Sequence, residues 1–214
     1  MAAPRTLQVT IPAGRVRLEG ELVLPAGAAG IVAFAHGSGS SRHSPRNRYV
    51  ASVLHDRAVA TLLFDLLTRE EDVDYERRFD IALLTQRLTQ AADWLREEPA
   101  TKTLKLGFFG ASTGAAAALQ AAAALGEPVK AVVSRGGRPD LAGALALRTV
   151  RAPTLLIVGG HDYGVIELNE AAYAQLTCVK ELKIIPGATH LFEEPGTLEA
   201  AASAAADWFQ RYCI

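Results

Sequence analysis

Leu104-Lys105-Leu106-Gly107-Phe108-Phe109-Gly110-Ala111-Ser112-Thr113-Gly114 is the stretch on which the fold turns. Leu104 to Phe109 is an apolar run of strand length, and Ser112 to Leu125 reads as a helix rich in alanine and leucine. Gly110-Ala111-Ser112-Thr113-Gly114 is therefore a Gly-x-Ser-x-Gly motif placed where a buried strand gives way to a helix. A serine forced into so tight a turn holds its hydroxyl clear of the backbone. Strand and helix then pass so closely that the positions two before and two after the serine must be small. Gly110 and Gly114 meet that demand, and the alanine runs Ala115–Ala118 and Ala121–Ala124 let the helix lie close against a sheet.

Working outward, short apolar runs alternate with longer amphipathic segments, which is an α/β rhythm. Buried parallel strands are expected at Ile31–Ala35, Ala60–Phe64, Leu104–Phe109, Ala131–Ser134, Thr154–Val158 and Leu182–Ile185. Helices are expected at Phe79–Arg96, Ser112–Leu125 and Leu198–Tyr212. The first two strands, Leu7–Ile11 and Val16–Leu24, are separated by Pro12-Ala13-Gly14. That link is too short for a crossover helix and implies an antiparallel hairpin. The reading is an α/β fold with a mostly parallel sheet of about eight strands and helices on both faces, one domain over residues 1–214. The roughly twenty residues between Ser134 and Thr154 leave no room for a cap domain, so an open cleft is expected.

Bulk properties narrow the function. A formal net charge of -1 with 50% hydrophobic residues removes the electrostatic footprint of a nucleic-acid binder. Met1 to Ile11 lacks the apolar stretch of a signal peptide, and no run approaches the roughly 18 apolar residues of a membrane span. No membrane partner and a cytoplasmic location are the resulting expectations, with a monomer or homodimer as the assembly. Cys178 and Cys213 stand far apart and beside no histidine, so they read as semi-buried thiols and not as a disulfide or metal pair.

A serine hydroxyl needs a base, and the base needs an orienting carboxylate. The strand at Leu155-Leu156-Ile157-Val158 runs through a Gly turn into His161-Asp162, and the strand at Leu182-Lys183-Ile184-Ile185 runs into a loop presenting His190. Parallel strands put such ends on one sheet edge, so Ser112, Asp162 and His190 are the expected nucleophile, acid and base. Asp65 is the runner-up acid, while His43 and His55 read as exposed and His161 as pointing elsewhere if Asp162 points inward. For a developing oxyanion the expected donors are the backbone N–H groups of Thr113 and of Ser38, the latter in His36-Gly37-Ser38-Gly39. Nucleotide binding by that Gly-Ser-Gly is disfavoured because Arg42 occupies the third glycine position of a dinucleotide fingerprint and no Walker lysine follows.

The predicted catalytic edge also carries Arg42, Arg46 and Arg48 after the third strand, and Arg135 and Arg138 after the sixth. Arginine binds carboxylates and phosphates well. Arg135 foremost, with Arg42, is the expected contact to an anionic group on the substrate; pairing with nearby acids such as Glu70, Glu71, Asp72, Glu193 or Glu194 is the plainer alternative.

With the elbow, the Asp162 loop, the His190 loop and the His-Gly loop in place, the sequence resembles the α/β-hydrolase superfamily, specifically its small, lidless dienelactone hydrolase-like branch. It also looks like the hydrolase region that some bacterial proteins carry fused to a phosphoribosyltransferase. The resemblance implies hydrolysis of small carboxylic esters with no metal or organic cofactor. Ser112 stands where dienelactone hydrolases proper use cysteine, which points to a general carboxylesterase. The alternatives are an acyltransferase or perhydrolase using the same three residues, or a non-catalytic binding module on this fold.

Overall fold

The computed structural model describes residues 3–214. Strands β1 (Arg5–Ala13) and β2 (Val16–Leu24) form the expected antiparallel hairpin. Its turn is shorter than expected. Ala13 pairs with Val16, so Gly14-Arg15 alone make the turn, and Pro12 lies within β1 opposite Arg17. Gly14 has φ +67° at the first turn position, where glycine carries no steric cost. Pro12 is tolerated because β1 is an edge strand and its missing N–H is not needed inward.

Strands β3 (Gly30–Ala35), β4 (Val59–Phe64), β5 (Lys105–Ala111), β6 (Val129–Arg135), β7 (Thr154–Gly159) and β8 (Lys180–Ile185) complete one eight-stranded sheet in the order β1-β2-β4-β3-β5-β6-β7-β8. β2 meets β4 antiparallel, and every later pairing is parallel. The chain leaves β3 for β4 on one side and then crosses to β5 on the other. This reversal opens a crevice at the carboxyl ends of β3 and β5, the usual ligand position in open α/β sheets. The segment after β3 and Ser112 after β5 flank it.

Helices are α1 (Pro45–Asp56), α2 (Arg69–Asp72), α3 (Ile81–Glu97), α4 (Thr113–Leu125), α5 (Ala144–Thr149), α6 (Tyr163–Gln175) and α7 (Thr197–Cys213). One apolar cluster joins one sheet face to α3, α4 and α6; the other joins the opposite face to α1 and α7. The alanines of α4 at 115–118, 121 and 122 are fully buried, so this helix lies flush on the sheet. The link from β6 to β7 holds only the short turn Pro139–Ala142 and the six residues of α5, as the spacing required.

Three expectations need correction. α3 begins at Ile81 and not Phe79, because the Asp80 side chain accepts the Leu83 N–H at 3.0 Å and caps the helix there. Phe79 belongs to the preceding 3-10 turn and packs on Tyr75, ring centroids 5.1 Å apart. β8 is not a strand buried on both faces: it is the sheet edge, and only Ile185 along it is buried. Its alternating Lys180, Glu181 and Lys183 are the charges that keep an edge from pairing with another chain. Cys213 is fully buried against Gly107 and not half-buried, and burial pushes its thiol up to about 12, which makes it unreactive. Among the described residues no helix is long and apolar enough to cross a membrane.

Candidate active site

Ser112 sits between β5 and α4 with φ +51° and ψ -122°, a conformation that non-glycine residues seldom hold. The surroundings over-determine it. Its N–H donates to the Arg135 carbonyl at 3.3 Å, and its own carbonyl accepts from Ala115 N–H at 3.1 Å and Arg138 N–H at 3.0 Å. A methyl at Gly110 would lie 2.5 Å from the Ala115 Cα, and one at Gly114 would collide with the Ala35 carbonyl. The two flanking glycines are thus a packing requirement of the close pass between β5, β3 and α4.

Asp162 precedes the first turn of α6, where an aspartate ordinarily caps free N–H groups, yet it makes no side-chain cap bond. Its Oδ2 lies 2.6 Å from Nδ1 of His190. The Asp162 side chain is largely buried and that of His190 half-exposed. The two loops are stitched together by His161 N–H to the Ala188 carbonyl at 2.9 Å and Gly160 N–H to the Ile185 carbonyl at 2.8 Å. Beyond His190, the Glu194 carboxylate accepts from Thr189 N–H at 3.0 Å and Thr189 Oγ1 at 2.6 Å. Phe192, buried with φ +56°, anchors the same loop. Nothing in the residue pattern announced the Thr189–Glu194 clamp, whose signal is only a threonine five residues before a glutamate.

Ser112 and His190 line one cavity of about 230 Å³, together with Gly37, Ser38, Arg46 and Arg135 among others. A larger cleft of about 520 Å³ lies between Val16–Glu19 and Leu67–Glu71 and contains neither residue. We place the candidate site in the smaller cavity because Ser112 and His190 both line it.

The other expected residues fall as follows. Ser38 and Thr113 adjoin, but Ser38 N–H is engaged: it donates to Thr113 Oγ1 at 3.0 Å. Thr113 opens α4, where the first N–H groups have no partner within the helix. His36 fixes the loop that carries Ser38. Leu66 N–H donates to its Nε2 at 3.1 Å, so Nδ1 carries the proton and donates to the Gly37 carbonyl at 3.0 Å. Burial lowers the His36 pKa against the pull of Gly37, Asp65 and Asp72. Asp65, the runner-up acid, instead accepts from the Arg42 backbone N–H at 2.7 Å and pairs with the Arg42 guanidinium. Arg42 also binds Glu19 at 2.6 Å and does not line the Ser112 cavity. Arg42, expected at the substrate, is thus paired with two acids and stands outside the cavity that holds Ser112. Arg46, in the first turn of α1, lines that cavity with Asn47. His43 is exposed as expected and His161 is exposed too, whereas His55 is half-buried, with Nε2 at 2.7 Å from Thr61 Oγ1.

Comparison with known proteins bears on the fold and the family. The family model described as "Dienelactone hydrolase family" matches residues 56–213. The chain is 58% identical over 205 residues to a putative phosphoribosyl transferase of Mycobacterium tuberculosis, covering 96% of this chain and 46% of that protein. It thus spans about half the length of the curated relatives it matches. The crystal structure of a dienelactone hydrolase from Anabaena variabilis superposes with a TM-score of 0.96 at 58% identity, covering 100% of both chains. The esterase domain of a Rhodothermus marinus protein shares the fold at 20% identity, with a TM-score of 0.79 over 98% of this chain and 100% of that one. By the family match across most of its length and the likeness to the Anabaena structure, the chain belongs to the dienelactone hydrolase family, on the α/β-hydrolase fold.

Proposed function

We propose that the protein hydrolyses small carboxylic esters through an acyl-enzyme on Ser112. The observation that carries this reading is the 2.6 Å contact between His190 Nδ1 and Asp162 Oδ2, with His190 and Ser112 lining one cavity. Asp162 holds the proton on Nδ1 and leaves Nε2 free to act as base. Nε2 takes the Ser112 proton as Oγ adds to the ester carbonyl. The oxyanion is received by Thr113 N–H and by Ser38 N–H, which turns from Thr113 Oγ1 to the incoming charge. The tetrahedral adduct collapses, breaking the bond to the alcohol oxygen, which leaves with the proton held by His190. Water, deprotonated by His190, then cleaves the acyl-Ser112 bond and releases the acid. The cavity is smaller than the roughly 300–1,000 Å³ of drug-sized sites, which favours short acyl and alcohol groups. A serine-directed fluorophosphonate tests the reading: intact mass rises by one adduct in the wild type and not in Ser112→Ala. Absence of labelling in the wild type contradicts it.

A further inference from the structure

The cavity beside Ser112 holds cationic groups that the ester chemistry does not use. Arg135 ends β6 and lines the cavity, yet is only 7% exposed, and its Nε and Nη1 have no hydrogen-bond partner among the described residues. Its guanidinium lies over the Phe192 ring, 5.5 Å from the centroid, which fixes its place without neutralising its charge. Arg46, in the first turn of α1, lines the same cavity, and its buried Nε has no partner among the described residues. Its one acid, Glu193, lies 3.4 Å away and is 65% exposed, so compensation is weak. The first turn of α1, a twelve-residue helix, opens onto the same space through Ser44 and Asn47; Pro45 has no N–H and Ser44 Oγ accepts the Asn47 N–H at 3.3 Å, so this turn adds the positive end of a helix dipole and not a set of free donors. Among the described residues no aspartate or glutamate lines the cavity. Burial, then the like charge of Arg46, bring the Arg135 pKa from 12.5 to about 10, which leaves it cationic at neutral pH.

A buried, unpaired guanidinium costs several kcal/mol, of which the contact with the Phe192 ring offsets only about 1–2 kcal/mol. We propose that Arg135, Arg46 and the N-terminus of α1 form a phosphate-binding subsite, so that the substrate is a small ester bearing a phosphate monoester group. Phosphate suits this setting better than carboxylate does. Two guanidinium groups with a helix N-terminus match a dianion with three terminal oxygens, whereas a carboxylate brings one charge and two oxygens. The substrate assignment rests on the serine-hydrolase reading; the anion site itself does not.

The test is therefore made on a protein that cannot turn over. Inorganic phosphate is titrated calorimetrically into Ser112→Ala, at constant ionic strength and pH 7, with acetate as the comparison anion. Saturable one-to-one phosphate binding is expected, at least about tenfold tighter than acetate, and weakened about tenfold or more by adding Arg135→Ala. Arg46→Ala reads the same loss and stands in should Arg135→Ala fail to fold. No saturable binding, binding indifferent to both arginines, or acetate binding as tightly as phosphate overturns the proposal. None of these outcomes bears on whether Ser112 is acylated, and a failed phosphonate label leaves the phosphate result standing.

Discussion

Asp162 occupies a helix-cap position and leaves the cap unused, its carboxylate turned to His190. On the proposed mechanism Asp162→Asn lets the imidazole adopt the wrong tautomer; kcat for a small ester falls by about 10⁴-fold with little change in fold. Steady-state kinetics beside a circular dichroism spectrum checks this. Arg135 carries the opposite lesson, a residue that costs stability. It is protonated at neutral pH both folded and unfolded, so its desolvation penalty is present throughout the range below about pH 10 and relieved only as pH rises through that value. Arg135→Leu is therefore expected to stabilise the protein by about 1–3 kcal/mol in urea denaturation at pH 7, with phosphate affinity lost. His36 acts on the acid side. Its folded pKa lies below the ordinary 6.5 because of burial, so the unfolded chain binds the proton more readily. Stability is full above about pH 6.5 and declines as pH falls below it. His55, also lowered by burial, adds to the same slope. In His36→Asn the loss of stability between pH 6.5 and 5 is expected to be smaller than in the wild type; an unchanged slope contradicts the assignment.

Among elements, β5 and α4 were readable because their packing is written into residue size. Glycines flank the serine, and alanines cover the helix face that meets the sheet. Gly114→Ala must push its methyl into the Ala35 carbonyl. It is expected to cost about 2–4 kcal/mol of stability and to lower kcat as the elbow shifts, measured by denaturation and ester kinetics. β8 was misread for the opposite reason. Apolar periodicity reports which residues could be buried, but an outermost strand has no neighbour to bury its second side, and strand order is a property of the whole sheet. Loops were legible only where a motif named them. Asp162 and His190 stood out as strand-end residues in the right chain order, while the engagement of Ser38 N–H by Thr113 Oγ1 and the pairing of Arg42 with Asp65 depend on side-chain reach that spacing does not encode. Arg42 and Arg46 lie four residues apart, one before α1 and one in its first turn, and only the fold tells which is paired with two acids.

At the scale of the molecule, the reversal of strand order between β3 and β5 places the His36–Ser38 loop beside Ser112, and the run from β6 to β8 brings Arg135, Asp162 and His190 to the same edge. The short β6–β7 link adds no cap, and the cavity beside Ser112 is walled by the entry to α1, the end of β6 and the loop after β8. The family match over residues 56–213 does not include the first three strands or the segment bearing Ser38 and Arg46. Their part in the site rests on the geometry described above. The central claim, that Ser112 is the nucleophile of an ester hydrolase, is tested most directly by the rate of p-nitrophenyl acetate hydrolysis in the wild type and in Ser112→Ala. A fall of about 10³-fold or more in kcat/KM is predicted, and hydrolysis undiminished in the alanine variant would contradict the account.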